Sequence, residues 1–274
     1  MASFSPDIIT SRANPLIVRM AKLSDKKHRD AEGLFRVDGV KLFSESVMSG
    51  LDTRYIFIAD SKRERLLHEL GTALENAGGT VVFVSDEVLA KLTDESAPQG
   101  IVAVVRKFGT VLPTLPKDGA FRSVYLSSIR DPGNLGTMIR TAYAFGVERL
   151  FISSDCADIY SPKTVRASMG TVFRQPISVV DEAGFANHIK SAGCELYAAA
   201  LRRDARQLGT FPLPARVCFA VGNEGHGLSN EFIDNCSGAV FIPMSEGCES
   251  LNAAMAATVI MWEMQRTQTT DLGE

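Results

Sequence analysis

Three glycine-rich turns carry the polar residues best placed to do chemistry. They are Asn134 and Arg140 in RDPGNLGTMIRTAYAFG (130–146), Glu224 in GNEGHGLSNEF (222–232), and Ser250 and Asn252 in IPMSEGCESLNAAMAATVIMWEM (242–264). In the first, Asp131 and Asn134 are good helix N-cap types, and Pro132 cannot extend a helix backwards. Leu135, Met138, Ile139 and Ala142 then form one apolar face, and at about 100° per residue Arg140 falls nearly opposite it. Such an arginine is either an ordinary exposed side chain or one that faces a ligand. The two glycines of the turn would let a ligand approach the backbone closely.

The second turn places Gly222, Gly225 and Gly227 within six residues, with Ser229 able to cap the next helix. Its spacing is GxxGxG, so the GxGxxG dinucleotide fingerprint is not met, and a plain turn is the alternative. In the third, Ser250 is expected to cap a helix that Leu251 opens. Leu251, Met255, Thr258, Val259 and Trp262 share one face of it, and Ala254, Ala257, Ile260 and Met261 make most of the rest apolar. A helix apolar nearly all round is expected to be buried, in the core or in a subunit interface. Asn252, Ala256 and Glu263 lie on the one strip that could be polar. Asn252 either satisfies a neighbour's backbone or serves a site.

The elements that hold these turns alternate. Strands are expected at 54–60, 80–86 and 101–108, with a helix of leucines at helical spacing (Leu66, Leu67, Leu70, Leu74) between the first two. A segment with no period, GTVLPTLPKDGA, marks a boundary. Residues 1–108 are therefore expected as one domain, 109–120 as a linker and 121–274 as a second domain. In the second, strands at 123–128, 149–153, 195–201, 216–221 and 239–244 alternate with helices at 134–146, 183–192, 229–236 and 250–266. That alternation implies an α/β fold with a mostly parallel sheet, which binds ligands at the carboxyl ends of its strands. Each of the three turns follows such a strand.

Net charge is −3, so overall balance forces no nucleic-acid reading. Five scattered cysteines without a CxxC argue for a reducing compartment and against a disulfide framework or a zinc site. The N-terminus has no apolar run fit for a signal peptide, and no stretch approaches a membrane span. These features point to a soluble cytoplasmic protein with no membrane partner. Locally, Arg12, Arg19, Lys22, Lys26, Lys27, Arg29, Arg36 and Lys41 outnumber the acids of residues 10–41. That run is either a solvated face or a phosphate-contacting patch.

Together the three turns, in this order and spacing, resemble the three motifs of the SpoU (TrmH) family of RNA ribose 2′-O-methyltransferases. SPKTVRASMG (161–170) is also similar to the family. Residues ITSRANPLIVRMAKLSDKKHRDAEGLFRVDGVKLFSESV resemble the substrate-binding domain that many bacterial members carry. The resemblance implies a C-terminal α/β-knot domain, trefoil-knotted, preceded by a smaller α/β domain of L30e/L7Ae-like fold. It also implies S-adenosylmethionine as methyl donor, no metal, and a homodimer through the knotted domain.

Carried over by motif position, Asn134 and Arg140 match the catalytic pair, Glu224 the second-motif acid, and Ser250 and Asn252 the third-motif polar residues. Gly222, Ile242 and Leu251 match positions that contact the cofactor. Asn223, Gly227, Met244 and Ser250 belong to the same two loops, expected to cradle it. Arg12, Lys22, Lys26, Lys27 and Arg29 are the expected phosphate contacts. The expected substrate is 23S ribosomal RNA, with transfer RNA as the alternative. A non-catalytic RNA-binding relative would lose motif polar residues, yet all five are present. A nucleotide-dependent oxidoreductase would need the absent fingerprint.

Overall fold

The structure, a computed structural model, describes residues 2–270 apart from Pro6, Pro113, Glu224, Glu246, Cys248 and Glu249, with the backbone alone described over 268–270. The chain forms two compact units, Met1–Gly109 with Asp158–Arg174, and Thr110–Ala157 with Gln175–Glu274. Both are α/β, the first built on a mixed sheet and the second on an all-parallel one.

In the first unit the elements are β1 (Ser3–Phe4), α1 (Pro15–Ala21), α2 (Lys26–Glu32), β2 (Leu34–Asp38), α3 (Val40–Met48), β3 (Thr53–Ala59), α4 (Arg63–Ala77), β4 (Thr80–Val84), α5 (Asp86–Leu92) and β5 (Ile101–Arg106). The sheet order is β1-β4-β3-β5-β2. β3 and β4 run parallel, while β5 is antiparallel to both β3 and β2. Short polar side chains start the helices: Asn14 accepts from the Leu16 amide at 2.9 Å, and Asp25 from that of Lys27 at 2.9 Å.

β2 is buried along its whole length, charged residues included, so it shows no alternation. Arg36 is one of those residues. Its guanidinium donates to the Leu92 carbonyl and to Asp94, each at 2.6 Å. Asp38 is another, and burial pushes its carboxyl up despite the nearby guanidinium groups of Arg36 and Arg166.

The second unit comprises β6 (Phe121–Leu126), α6 (Pro132–Ala144), β7 (Arg149–Ser153), then, beyond residues 158–174 and their helix α7 (Pro162–Ala167), β8 (Ile177–Val180), α8 (Phe185–Ser191), β9 (Glu195–Ala199), β10 (Arg206–Gln207), β11 (Arg216–Val221), α9 (Asn230–Asp234), β12 (Gly238–Phe241) and α10 (Ala253–Thr270). Its sheet order is β10-β12-β9-β11-β6-β7-β8. Tyr125, Phe151, Phe185 and Phe232 meet in its core. Residues 158–174, expected within a continuous second domain, pack with the first unit. Among the described residues no helix is long and apolar enough to cross a membrane.

The basic run of residues 10–41 divides in two. Arg12, Lys22, Lys26 and Lys27 are exposed. The expectation for Arg29 fails: it is 3% exposed and its guanidinium is bound within the unit. It donates to Asp158 at 2.7 and 2.9 Å, to the Leu23 carbonyl at 2.9 Å and to the Ser24 carbonyl at 2.7 Å. Four of its five N–H donors are thus taken inside the unit, and the buried group is not placed to face a phosphate. Removing one partner of a buried ion pair strands the other, at a cost of about 3–5 kcal/mol. Arg29→Ala should therefore shift the denaturation midpoint of the first unit strongly downward. An unchanged midpoint would return Arg29 to the surface.

Candidate active site

In a parallel sheet every strand ends on the same edge, and β6, β11 and β12 each lead there into one of the three turns. The first turn is anchored by an acid outside the motifs. Ser128 has a φ of +56°, a left-handed conformation that costs a non-glycine residue energy. Its amide donates to the Ser153 hydroxyl at 2.8 Å, and its own hydroxyl donates to Asp155 at 2.6 Å. Ser153 donates to the other Asp155 oxygen, also at 2.6 Å. The hydroxyls of Ser128 and Ser153 hold the Asp155 carboxyl below its usual value.

From this anchor the chain enters α6. Asp131 caps it, accepting from the Asn134 amide at 2.8 Å. Leu135, Met138, Ile139 and Ala142 are fully buried, while Arg140 is exposed, opposite them.

The second turn is closed on itself. Asn223 Oδ1 accepts from the amides of Gly225 and His226 at 2.9 and 2.8 Å, and the Gly227 amide returns to the Asn223 carbonyl at 3.1 Å. Gly222 lies against the far side of this loop. A Cβ there would sit 2.3 Å from the Gly227 carbonyl carbon and 2.6 Å from the Leu228 nitrogen. Ser229 then caps α9 through the Phe232 amide at 3.1 Å. Glu224, the acid of this turn, lies outside the described residues.

In the third turn the structure corrects one expectation. The last helix does not begin at Ser250 but at Ala253, and its cap is Asn252. The Asn252 Oδ1 accepts from the amides of Ala254 and Met255 at 2.9 and 3.3 Å, and its carbonyl from that of Ala256 at 3.0 Å. Capping fixes the orientation of the amide, so Asn252 presents its Nδ2 outward, 3.5 Å from the Asn134 Oδ1. The first and third motifs thus meet through two carboxamides. A second correction concerns the sides of this helix. Glu263, placed on the polar strip, is 5% exposed and ion-paired with Arg266, whereas Met255, Val259 and Trp262 are exposed.

Gly222, Asn223, Gly227, Ile242, Met244, Ser250 and Leu251 all line one cavity of about 340 Å³. Its remaining wall is largely apolar and includes Ala199–Leu201 at the end of β9, Leu228, and Ala256 and Ile260 of α10. The β9 wall escaped the sequence reading. The signal was three alanines (198–200) at the carboxyl end of a strand, where small side chains leave space beside motif-bearing neighbours. Asp155 was missed as well, as was Glu182. Glu182 accepts from Ser127 at 3.1 Å, Tyr125 at 3.3 Å and Ser229 at 3.4 Å, tying the end of β6 to the second turn. Burial beside this carboxylate pushes the Tyr125 phenol well up.

Residues 122–262 match the model of the SpoU rRNA Methylase family, and residues 14–103 that of the MRM3-like substrate binding domain. The chain is 28% identical over 257 residues to the 23S rRNA (guanosine(2553)-2′-O)-methyltransferase of Bacillus subtilis (strain 168), covering 94% of this chain and 98% of that one. It is 31% identical over 266 residues to the 23S rRNA (uridine(2479)-2′-O)-methyltransferase of Streptomyces viridochromogenes, covering 94% and 91%. Its fold superposes on an AdoMet-bound rRNA methyltransferase from Sinorhizobium meliloti with a TM-score of 0.85, at 29% identity, over 95% of this chain and 97% of that one.

The corrected cap is open to test. Loss of an asparagine cap costs about 1 kcal/mol. Asn252→Ala should speed amide hydrogen exchange in the first turn of α10 about fivefold, and Ser250→Ala should leave it unchanged. The opposite ranking would restore Ser250 as the cap.

Proposed function

This chain belongs to the SpoU rRNA methylase family, and we propose that it transfers a methyl group from S-adenosylmethionine to a ribose 2′-hydroxyl of 23S ribosomal RNA. The observation that carries this reading is the cavity after β11 and β12, whose lining runs directly into Asn252 and so to Asn134 on the helix that bears Arg140. The ribosomal substrate rests on the N-terminal match and on the two 23S-directed relatives.

The cavity suits this cofactor. Its volume lies within the usual span of small-molecule sites. Apolar side chains (Ile242, Leu251, Ile260) offer a slot for a flat base, and the backbone of two loops offers polar groups for the sugar and the amino-acid tail. The trefoil threading implied by the resemblance would hold those loops together. When bound, S-adenosylmethionine supplies a methyl group already activated by a sulfonium charge, which calls for no metal ion.

The chain's own residues must then make a poor nucleophile reactive. A guanidinium keeps its proton in proteins, so Arg140 acts as a clamp rather than a base. Its planar fork spans a phosphate oxygen and the ribose oxygen, and its charge offsets the developing alkoxide. Asn134, oriented by Asn252, fixes the ribose or the arginine. The adjoining phosphate or Glu224 would take the proton that the hydroxyl gives up on methylation. The exposed cations Arg12, Lys22, Lys26 and Lys27 supply phosphate contacts. The scattered free thiols support a cytoplasmic setting.

The reading includes a homodimer. Met255, Val259 and Trp262 recur at i, i+4 and i+7 on α10 and are 54%, 37% and 50% exposed. Tyr143 of the adjoining α6 is also exposed. A contiguous apolar stripe of this kind suits a second copy of the chain.

Two experiments test these proposals. With radiolabelled S-adenosylmethionine and total RNA from a strain lacking the protein, label should enter 23S RNA. Arg140→Ala should abolish transfer, and Arg140→Lys should fail too, since a point charge cannot reproduce the fork. Cofactor affinity by calorimetry should stay unchanged in both. Equal loss of transfer and cofactor binding would sink this division of labour. By sedimentation, Trp262→Glu should convert dimers to monomers; a wild-type chain that sediments as a monomer would dismiss the dimer.

A further inference from the structure

A second cavity, of about 590 Å³, lies within the first unit and plays no part in the reaction as derived above. Thr53–Tyr55 of β3 and Arg106 of β5 line it, with Arg19 of α1 and Glu32 of α2. Three arginines there, Arg19, Arg54 and Arg106, face two carboxylates, Glu32 and Asp52, leaving one positive charge in excess. Arg19 is paired with Glu32 at 2.7 Å and Arg106 with Asp52 at 2.8 Å. Arg54 has no ion-pair partner among the described residues.

The backbone is bent to put Arg54 there. Thr53 pairs with Val105 and Tyr55 with Val104, so Arg54 is an extra residue in a strand flanked on both sides. Such a bulge disrupts the ladder locally and serves to re-aim a side chain. In a regular strand consecutive side chains point to opposite faces. Here the exposed Arg54 and the half-exposed Tyr55, neighbours along the chain, both line one cavity. Gly79 makes the bulge possible: its φ is +71°, and a Cβ on it would lie 2.5 Å from the Thr53 carbonyl oxygen and 3.0 Å from that of Arg54. Beside Arg54, Tyr55 offers a half-exposed ring, backed by Phe57 with ring centroids 5.9 Å apart.

We propose that this cavity receives one unpaired nucleotide of the RNA, its phosphate on the Arg54 guanidinium and its base against the Tyr55 ring. A guanidinium fork matches a phosphate in two directions, and unstacked bases of single-stranded RNA are taken up on aromatic side chains. The ion-paired walls make the cavity polar, which suits a nucleotide and disfavours an apolar ligand. A free nucleotide carries the same chemistry. RNA is the favoured source because the reading above makes RNA the substrate, and this inference rests on that reading.

The test measures binding of the full chain to transcribed 23S RNA over a range of salt concentrations, beside steady-state transfer. Arg54→Gln should lower the slope of log K against log salt by about 0.7–1, the loss of one phosphate contact. Tyr55→Leu should weaken binding about 5- to 100-fold, the range for one base–aromatic stack. Both should raise KM for RNA and leave kcat and cofactor affinity unchanged. Arg65→Gln removes another exposed cation of the same unit, on α4, and should change none of these.

Wild-type binding by Arg54→Gln and Tyr55→Leu would overturn the proposal, and so would an equal loss in Arg65→Gln, which would signal a diffuse field. Should Tyr55→Leu fail to fold, the exposed Arg54 variant carries the test. If uridine 5′-monophosphate binds the wild type but not Arg54→Gln, while both bind RNA alike, the cavity is a free-nucleotide site and the proposal falls. Binding is read apart from transfer. A chain that holds 23S RNA through Arg54 yet methylates no RNA overturns the methyltransferase reading and leaves this one standing.

Discussion

Parallel strands leave a sheet on a common edge, and the second unit depends on that constraint. Asn134 of the first motif and Asn252 of the third lie 118 residues apart along the chain, yet β6, β11 and β12 deliver all three motifs to one side. No helix or salt bridge has to gather them. What remains is local adjustment of each turn, and the three turns solve it differently. The first is held by hydroxyls on Asp155, the second folds back on Asn223, and the third is set by the cap of α10. Each solution spends side-chain hydrogen bonds on backbone amides, which is what tight turns at a site need, since their own ladder partners are gone.

Asn252 shows how economically this is done. Its carbonyl oxygen is committed to two helix amides, which leaves its NH2 to face Asn134. Asn134 belongs to the first turn of α6, whose own cap is Asp131. The orientation of the amide at one helix start is thereby passed to another, and from there to the helix face that carries Arg140. Alanine in place of Asn252 removes a cap and a positioning contact together, so an activity loss there does not by itself make Asn252 a catalytic group.

The sequence made much of this legible because turn chemistry is local. Asp131 and Ser229 are caps where short polar residues precede apolar periodicity, and the strands β7 and β11 lie at 149–153 and 216–221 as expected. It misled where the deciding partner is distant. Ser250 and Asn252 are both good caps by type, and the choice depends on where α6 and the cavity stand. Arg29 reads as part of a basic face because its partner, Asp158, is 129 residues away. Arg36 hides in a strand whose apolar neighbours show no alternation. The exposed stripe of α10 was visible as apolar residues, but which of them the chain covers itself depends on how α6 and β11 pack against it.

The relatives bear on a last point about specificity. Two of comparable identity, 28% and 31%, act on a guanosine and a uridine of 23S RNA. A ribose hydroxyl, a phosphate and a methyl donor are the same whichever base is attached, so residues that serve the transfer need not read the base. A site that clamps phosphate and sugar fixes orientation without sequence information, and sequence-specific recognition of RNA takes unstacked bases. The arrangement of Asn134, Arg140 and Asn252 fits the first role. Base choice then falls to surfaces that differ between such relatives, and a polar cavity with an aromatic wall away from the methyl-transfer site is the kind of surface on which it could change without disturbing the chemistry.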